Sequence, residues 1–335
     1  GPGIPAALGG TEIRDITLNQ YDVLNIETNR PGADLTGTYI ETDRAVAVFG
    51  GTEAGNAPND DSCIYRQLQD DWVCEFDRET PCWDTVRGEP NITFCENYIT
   101  CCADHLEQQM LPIFAWGREF NAARSAPRGE EADIWRVLAS ENNTTVRLIG
   151  VPDDIGEPLQ TTWNLNEGEW FEFESRADFE IESNQPISIG QFLAAEFAPI
   201  PAGADEHVGP DYPYREDAGT GDPAFITVVP REQYREDYIF LVPAEYEQNW
   251  VTIVAPAGVD IEHADEQEIE TLEAEMFDLF ADGEWGALRY HLDREGYHRL
   301  TAEQPFGVMV HGYDSFVSYG YPAGLDVKRI NSRRE

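Results

Sequence analysis

The sequence predicts an all-β protein made of tandem β-sheet units, sandwich-like or propeller-like, with a disulfide-rich insertion. Three observations predict this architecture: short segments alternate apolar and polar residues, the chain repeats itself at an offset of 118 or 119 residues, and all six cysteines fall within one block of 40 residues. Alternation with a period of two is typical of strands that bury one face. Periodicity alone does not decide between consecutive sandwiches and blades around an axis.

The repeat is clearest in two pairs of aligned segments. Residues 111–120 align without a gap on residues 229–238, and residues 181–190 match residues 300–309. In each pair a proline falls on a proline. Two full copies of one strand-rich module are therefore predicted.

A third, partial copy precedes both full copies. Residues 18–27 align on residues 165–174, and residues 40–49 align on residues 181–190, so only the second half of a module is present. The segments VLNIE and AVAVF within it alternate and are predicted to be strands. The missing front half leaves a sheet edge, which we expect the C-terminal strands near residues 315–319 or another chain to close.

These alignments divide the chain into five parts. They are a partial first β unit (residues 1–51), a cysteine-rich insertion (52–110), a full β unit (111–192), an acidic linker (193–228) and a second full β unit with C-terminal strands (229–335). One short helix is predicted over residues 266–280. There, behind Asp265 as an N-cap, a spacing of 3, 4 and 3 residues separates Ile269, Leu272, Met276 and Leu279.

The charge balance indicates a saline medium outside the cell. The chain has 64 acidic and 22 basic side chains, a formal net charge of −42, and a single lysine, Lys328. Such a surface repels nucleic acid and anionic membranes, and salt or calcium reduces its self-repulsion. No segment approaches the ~18 continuous apolar residues of a membrane helix, so we expect no membrane insertion. A secreted or outer-surface location follows.

The six cysteines are predicted to form disulfides in an oxidising compartment. They are Cys63, Cys74, Cys82, Cys95, Cys101 and Cys102. Zinc is the alternative, but the block lacks the Cys-x-x-Cys pairs that zinc sites commonly use. Which cysteines pair with one another stays open.

Several long strings, in order, resemble the IgGFc-binding protein N-terminal domain family. They are GTYIETDRAVAVFGG, CCADHLEQQMLPIFAWGREFNAAR, GDPAFITVVPREQYREDYIFL, NWVTIVAPAGV and PFGVMVHGYDSFVSYGYPAG, and the resemblance runs from about residue 11 to residue 325. It implies an all-β fold and a secreted or surface protein, of a kind found in bacteria and in animal mucus layers. The family name implies binding to immunoglobulin Fc, and the bacterial relatives imply binding, adhesion or matrix roles. Residues 60–100 depart from the family pattern by adding the cysteine-rich stretch.

Three clusters that contain acidic residues are candidate metal sites. The first, suited to zinc or calcium, is Asp104, His105 and Glu107. The other two are acidic loops suited to calcium, one with Asp60 and Asp61 and the other with Asp217 and Asp222. The alternatives are a turn capped by Asp104, with His105 bonded to a carbonyl, and solvated acidic loops. The sequence contains no D-x-D-x-D-G loop to favour calcium.

The aromatic run GYDSFVSYGYP is a candidate binding surface, because exposed rings offer contact area with few rotors to freeze. The rings concerned are Tyr313, Phe316, Tyr319 and Tyr321, and burial in the core is an equal alternative. Trp116 and Trp170 are predicted to be core residues.

The sequence lacks a nucleophile elbow, a zinc-protease motif and a phosphate-binding glycine loop, so no enzymatic activity is predicted. It predicts a secreted or cell-surface, non-enzymatic binding, adhesion or matrix protein with a protein or glycan partner. Self-association through sheet edges into an oligomer or filament is part of this prediction. The alternatives are a calcium-dependent, lectin-like carbohydrate-binding module and, after it, a glycan-cleaving enzyme.

Overall fold

The computed structural model describes residues 10–28, 33–57, 104–128, 131–151, 160–195, 221–315 and 317–332, together with the backbone of four short strands between residues 64 and 90. The described residues that have regular structure are almost all in strands, which confirms the all-β class. The first strands are β1 (Phe49–Gly55), β2 (Ile64–Leu68), β3 (Asp71–Glu75), β4 (Trp83–Asp84), β5 (Glu89–Pro90) and β6 (Asp104–Gln109).

Two full units follow. The first has a 3₁₀ turn (Ile113–Ala115) and strands β7 (Gly117–Ala122), β8 (Asp133–Ala139), β9 (Thr144–Ile149), β10 (Thr162–Leu165), β11 (Trp170–Ser175), β12 (Phe179–Leu193) and β13 (Ala224–Thr227). The second has a 3₁₀ turn (Arg231–Gln233) and strands β14 (Arg235–Val242), β15 (Gln248–Pro256), β16 (Ile261–Asp265), β17 (Ile269–Leu272), β18 (Asp278–Phe280), β19 (Trp285–His291), β20 (Gly296–Asp314) and β21 (Val317–Pro322).

The two full units share one topology. In the first, the long strand β12 pairs antiparallel with β7, β8, β9 and β13, while β8 also pairs with β11 and β9 with β10. In the second, β20 pairs with β14, β15, β16 and β21, while β15 also pairs with β19 and β16 with β17. The second unit adds one strand, β18, at the edge beside β19. The segments that align in sequence therefore fold alike.

The long strand of each unit changes partners along its length. Residues 180–182 of β12 lie between β7 and β9, whereas residues 187–192 pair with β8. Pro186 lies between these stretches, where a residue without an N–H removes no ladder bond. Each unit is thus sandwich-like, with two groups of strands joined by one long strand and an apolar core between them.

The 3₁₀ turns that open the two units have matching geometry. Pro112 has φ −65° and ψ 145°, and Pro230 has φ −68° and ψ 152°. In each turn the N–H of the closing aromatic residue, Trp116 or Tyr234, donates to the carbonyl three residues earlier. Because proline fixes φ, this feature survives sequence divergence between the copies.

The last part of the segment predicted as an acidic linker has regular structure. This part, Ala224–Thr227, forms β13, which pairs with residues 190–193 of β12. The first full unit therefore takes its last strand from the chain segment that immediately precedes the second unit.

The prediction of a helix over residues 266–280 is wrong. The segment contains β17, a 3₁₀ turn (Ala274–Met276) and β18. Of the four apolar residues with helical spacing only Leu272 is buried, so a helix would have had no apolar stripe to bury. Asp265 does accept the N–H groups of Gln267 and Glu268, at 2.7 and 2.8 Å, but this contact closes the tight turn between β16 and β17.

Candidate binding surface

Exposed apolar side chains are concentrated at the start of the chain. Nineteen large apolar side chains are exposed in the described structure, and eleven of them lie between residues 13 and 49. They are Ile13, Ile16, Leu18, Tyr21, Val23, Ile26, Leu35, Tyr39, Ile40, Val46 and Phe49. Because exposed apolar surface is a feature of interaction sites, this part of the chain is the candidate binding surface.

We name the part of the chain that carries them the first half-unit, residues 10–57 and 104–110. Its strands β1 and β6 pair with Phe49 opposite Gln109. The last hairpins of the full units have the equivalent register, with Gly190 opposite Thr227 and Met309 opposite Pro322. The first half-unit is therefore a third copy of the back part of a module.

A turn further upstream repeats as well. In the first half-unit the Asp22 N–H donates to the Asn19 carbonyl at 3.0 Å, and its carboxylate accepts the Asn19 N–H at 2.8 Å. Between β10 and β11, Glu169 makes the same two contacts with Asn166, at 3.0 and 2.7 Å. Both turns contain a residue with positive φ, 71° at Tyr21 and 77° at Gly168. The alignment of residues 18–27 on residues 165–174 thus holds in three dimensions.

The strands predicted in VLNIE and AVAVF do not form, apart from the last residue, Phe49, which begins β1. The aligned residues in the first full unit are β11 and the first part of β12, and their ladders run to β7, β8 and β9. These three strands form the front half of a full unit, and the described part of the first half-unit has no equivalent of them. Without ladder partners the segments form no strand, and Val23, Ile26 and Val46 are exposed.

The first half-unit is attached to the first full unit by polar contacts. The Arg136 guanidinium donates to the Asp34 carboxylate at 2.8 Å and to the Thr36 hydroxyl at 2.9 Å. Burial raises the pKa of Asp34, but the hydrogen bonds from Thr36 and the charge of Arg136 outweigh burial and leave that pKa below its ordinary value. Gly37, with φ +88°, lies against Gly168 so closely that a Cβ would fall 2.2 Å from the Gly168 carbonyl oxygen.

This attachment explains the surface position of Trp170, which the sequence placed in the core. Trp170 is 36% exposed, and the Arg136 guanidinium lies 4.2 Å from the centre of its ring. The prediction for Trp170 is wrong because its ring serves as a platform for an arginine. Trp116 is half-buried, and its indole N–H donates to the Leu111 carbonyl at 2.9 Å.

The aromatic run near the C-terminus does not form an exposed surface at Tyr313. This residue is fully buried where the two full units meet, and its hydroxyl donates to the Ala126 carbonyl at 3.1 Å. Tyr319 and Tyr321 are half-buried, and their hydroxyls donate to Asn249 Oδ1 and to the Leu241 carbonyl. Phe316 lies outside the described residues.

The predicted metal ligands that the structure describes do not form a site. The His105 N–H contacts the Asp104 carboxylate at 2.6 Å, and His105 Nε2 lies 3.2 Å from the Glu107 carboxylate, with the last two side chains exposed. Asp222 is buried elsewhere, and its N–H donates to Ser318 Oγ at 2.8 Å. Among the described residues, no three His, Cys, Asp or Glu side chains come together to hold a metal ion.

The structure does not describe three of the calcium candidates or the side chains of the cysteines. Asp60, Asp61 and Asp217 lie outside the described residues, so calcium binding through them stays a prediction. The cysteines have the same status, since only the backbone of Cys74, in β3, is described.

A buried histidine pair in the second full unit was not foreseen. The His298 Nε2–H faces the Arg294 carbonyl at 3.0 Å, which leaves His298 Nδ1 to accept from His263 Nε2, also at 3.0 Å. His263 Nδ1 lies 2.9 Å from the Glu270 carboxylate, so both ring nitrogens of His263 face a polar partner. Hydrogen bonds from Tyr290 and His263 lower the pKa of Glu270. The pairing of β16 with β20 brings these residues together, and no local sequence pattern marks such a contact.

Comparison with known proteins identifies the family of the chain. Residues 2–73 and 85–312 match the family described as IgGFc binding protein. No curated protein and no solved structure matches the chain. Within the described ranges, none of the helices has the length and apolar character needed to cross a bilayer. The match covers most of the chain and supports a secreted or surface protein with a protein partner, and on this basis the chain belongs to the IgGFc-binding protein family.

Proposed function

We propose that this chain is a secreted or surface-displayed, non-enzymatic binding protein that engages a polypeptide partner through the first half-unit, as part of an adhesive or matrix layer. The observation that carries the proposal is the group of eleven exposed apolar side chains between residues 13 and 49. Family membership supports a binding role, and the net charge of −42 keeps the surface outside the first half-unit soluble.

The chemistry of this surface suits strand addition. Residues 10–28 and 33–48 have no assigned strand, so most of their backbone N–H and C=O groups are free of ladder bonds. The segments VLNIE and AVAVF in this region alternate between apolar and polar side chains. A partner strand would gain main-chain hydrogen bonds from the backbone and specificity from alternate side chains. The calcium-dependent carbohydrate-binding alternative is not favoured by any cluster among the described residues.

Direct binding with a site variant tests the proposal. The Fc fragment of immunoglobulin G is the first probe, because the family description names it. The variant Val23→Asp changes a side chain that is 91% exposed, and the control Ile269→Asp changes one that is 71% exposed in a full unit. Neither change should cost more than ~0.5 kcal/mol of folding stability.

We expect Fc binding that Val23→Asp weakens at least tenfold and that Ile269→Asp leaves unchanged. Hydrogen exchange should show new protection between residues 13 and 48 on binding. Equal binding by both variants would place the site outside the first half-unit and overturn the proposal. Absence of Fc binding would remove Fc as the partner and leave the test to other polypeptides.

A further inference from the structure

We infer that the partner of the first half-unit is a front-half segment: a polypeptide with the three-strand fold of β7, β8 and β9 that is not already paired with a back half of its own. This inference rests on the proposed function and specifies its partner. In the first full unit of the same chain, β7, β8 and β9 pair with the strands that are equivalent to the first half-unit.

The ladders of the first full unit show where such a segment would bind. β10 pairs with β9, β11 pairs with β8, and β12 pairs with all three front-half strands. By the alignments, these positions correspond to residues 15–18, 23–28 and 38–51 of the first half-unit. Eight of the eleven exposed apolar side chains lie in these three stretches.

Matched positions show the effect of a front half on burial. Ile40 and Val46 are each 49% exposed, while their counterparts Ile181 and Ile187 are fully buried. Two further pairs show the same change.

Leu18 is 43% exposed and its counterpart Leu165 is 8% exposed. Likewise, Ile26 is 41% exposed and Phe173 is 7% exposed. Each position changes from core to solvent between a unit that has a front half and one that lacks it. The missing cover is therefore a front half, and not an arbitrary apolar surface.

A count of the half-units in the described residues argues against a second copy as the occupant. The described part of the chain has three back halves, including the first half-unit, and two front halves, each already paired with its own back half. Exchange of front halves between copies leaves one back half per copy uncovered, whatever the number of copies. The described residues therefore contain no front half that is free to cover the first half-unit, and the proposed occupant is a segment that carries an unpaired front half.

The experiment adds a front half to the intact chain. The probe is a synthetic polypeptide with the sequence of residues 111–151, and hydrogen exchange of the full chain is measured with and without it. The matched probe carries Val137→Asp, since Val137 lies in β8 and is fully buried in the first full unit. The matched chain variant carries Val46→Asp at a position that is half-exposed when the front half is absent.

We expect protection to appear at residues 15–18, 23–28 and 38–51, and to be lost with the Val137→Asp probe. The Val46→Asp chain should bind the probe at least 100-fold more weakly, while Ile269→Asp binds it normally. Absence of protection at these stretches, or protection that survives Val137→Asp, would overturn the inference. Protection that grows with chain concentration in the absence of probe would overturn it in favour of self-association.

A fusion protein provides a second test that does not depend on the solubility of the free probe. Residues 111–151 are joined by a flexible linker ahead of residue 10, and the melting temperature is compared with that of the same fusion carrying Val137→Asp. A higher melting temperature only for the native fusion is expected, and equal values would contradict the inference. If the front half fails in both formats while Val23→Asp still weakens Fc binding at least tenfold, the proposed function stands and this inference alone falls.

Discussion

The side chain of Gln233 holds the beginnings of the two full units to the C-terminal segment, and its removal should be costly. Gln233 is fully buried. Its Nε2 donates to the Ala115 carbonyl at 3.2 Å and to the Lys328 carbonyl at 2.9 Å, while its Oε1 accepts the Lys328 N–H at 2.8 Å. In Gln233→Ala these three backbone groups lose their partner together.

Each such hydrogen bond contributes about 1 kcal/mol net, and partners left unsatisfied in a buried place raise the cost, so Gln233→Ala should lose about 3 kcal/mol. Gln233→Glu should lose at least as much, since a carboxylate would face two carbonyl oxygens. Urea unfolding at constant high salt measures the difference from wild type. The exposed control Gln267→Ala should stay within ~0.5 kcal/mol. A loss below about 1 kcal/mol for Gln233→Ala would refute the role assigned to this side chain.

Three further predictions concern pH, redox state and calcium. Burial, together with the charges of Arg289 and Arg128, lowers the pKa of His311 to about 3. In the unfolded chain the same imidazole takes up a proton near pH ~6.5, so acid favours the unfolded state. The free energy of unfolding therefore falls as the pH drops from ~6.5 towards 3. His311→Gln, which keeps an acceptor for the Ala126 N–H, should flatten urea-unfolding stability between pH 6.5 and 5, and equal slopes in both proteins would contradict this. Reductant should increase hydrogen exchange within residues 52–110 and leave the full units protected; a uniform loss of protection would argue against a local disulfide block. The calcium prediction requires a higher melting temperature in calcium than in chelator at matched ionic strength, and no shift would count against a specific ion site.

The sequence predicts well what is encoded locally. Pro112 and Pro230 fix the backbone at the start of each full unit, so their alignment correctly indicates two segments with one shape. Period-2 alternation correctly indicates strands in β12 and β20, where partners are present. The same alternation is misleading at residues 23–27 and 45–48, because a strand also requires a neighbour, and that neighbour is a non-local property of the chain.

The errors at individual residues have the same origin. Alternation assigns side chains to two faces but does not say which face is covered. Tyr313 is buried because the other full unit packs on it, whereas the Trp170 ring lies under the Arg136 guanidinium and remains 36% exposed. The side chain of Asp265 binds the same backbone N–H groups in a tight turn as in a helix N-cap, so the capping pattern could not separate the two.

The net negative charge of the first half-unit should make it bind the two front halves of this chain with different affinities when each is used as a probe. Residues 10–57 carry eight carboxylates and three arginines, residues 111–151 carry five of each, and residues 229–265 carry eight carboxylates and two arginines. The first half-unit should therefore repel the second probe and not the first, so residues 111–151 should bind more tightly at low ionic strength. The Debye length falls from about 10 Å at 0.1 M to about 3 Å at 1 M salt. The difference in affinity between the two probes should therefore shrink in high salt, while binding of residues 111–151, which have no net charge, changes little. Titration of both probes across this range measures the effect. A neutral probe that loses affinity steeply with salt would show that ion pairs, and not burial of residues 15–51 under a front half, hold the complex together.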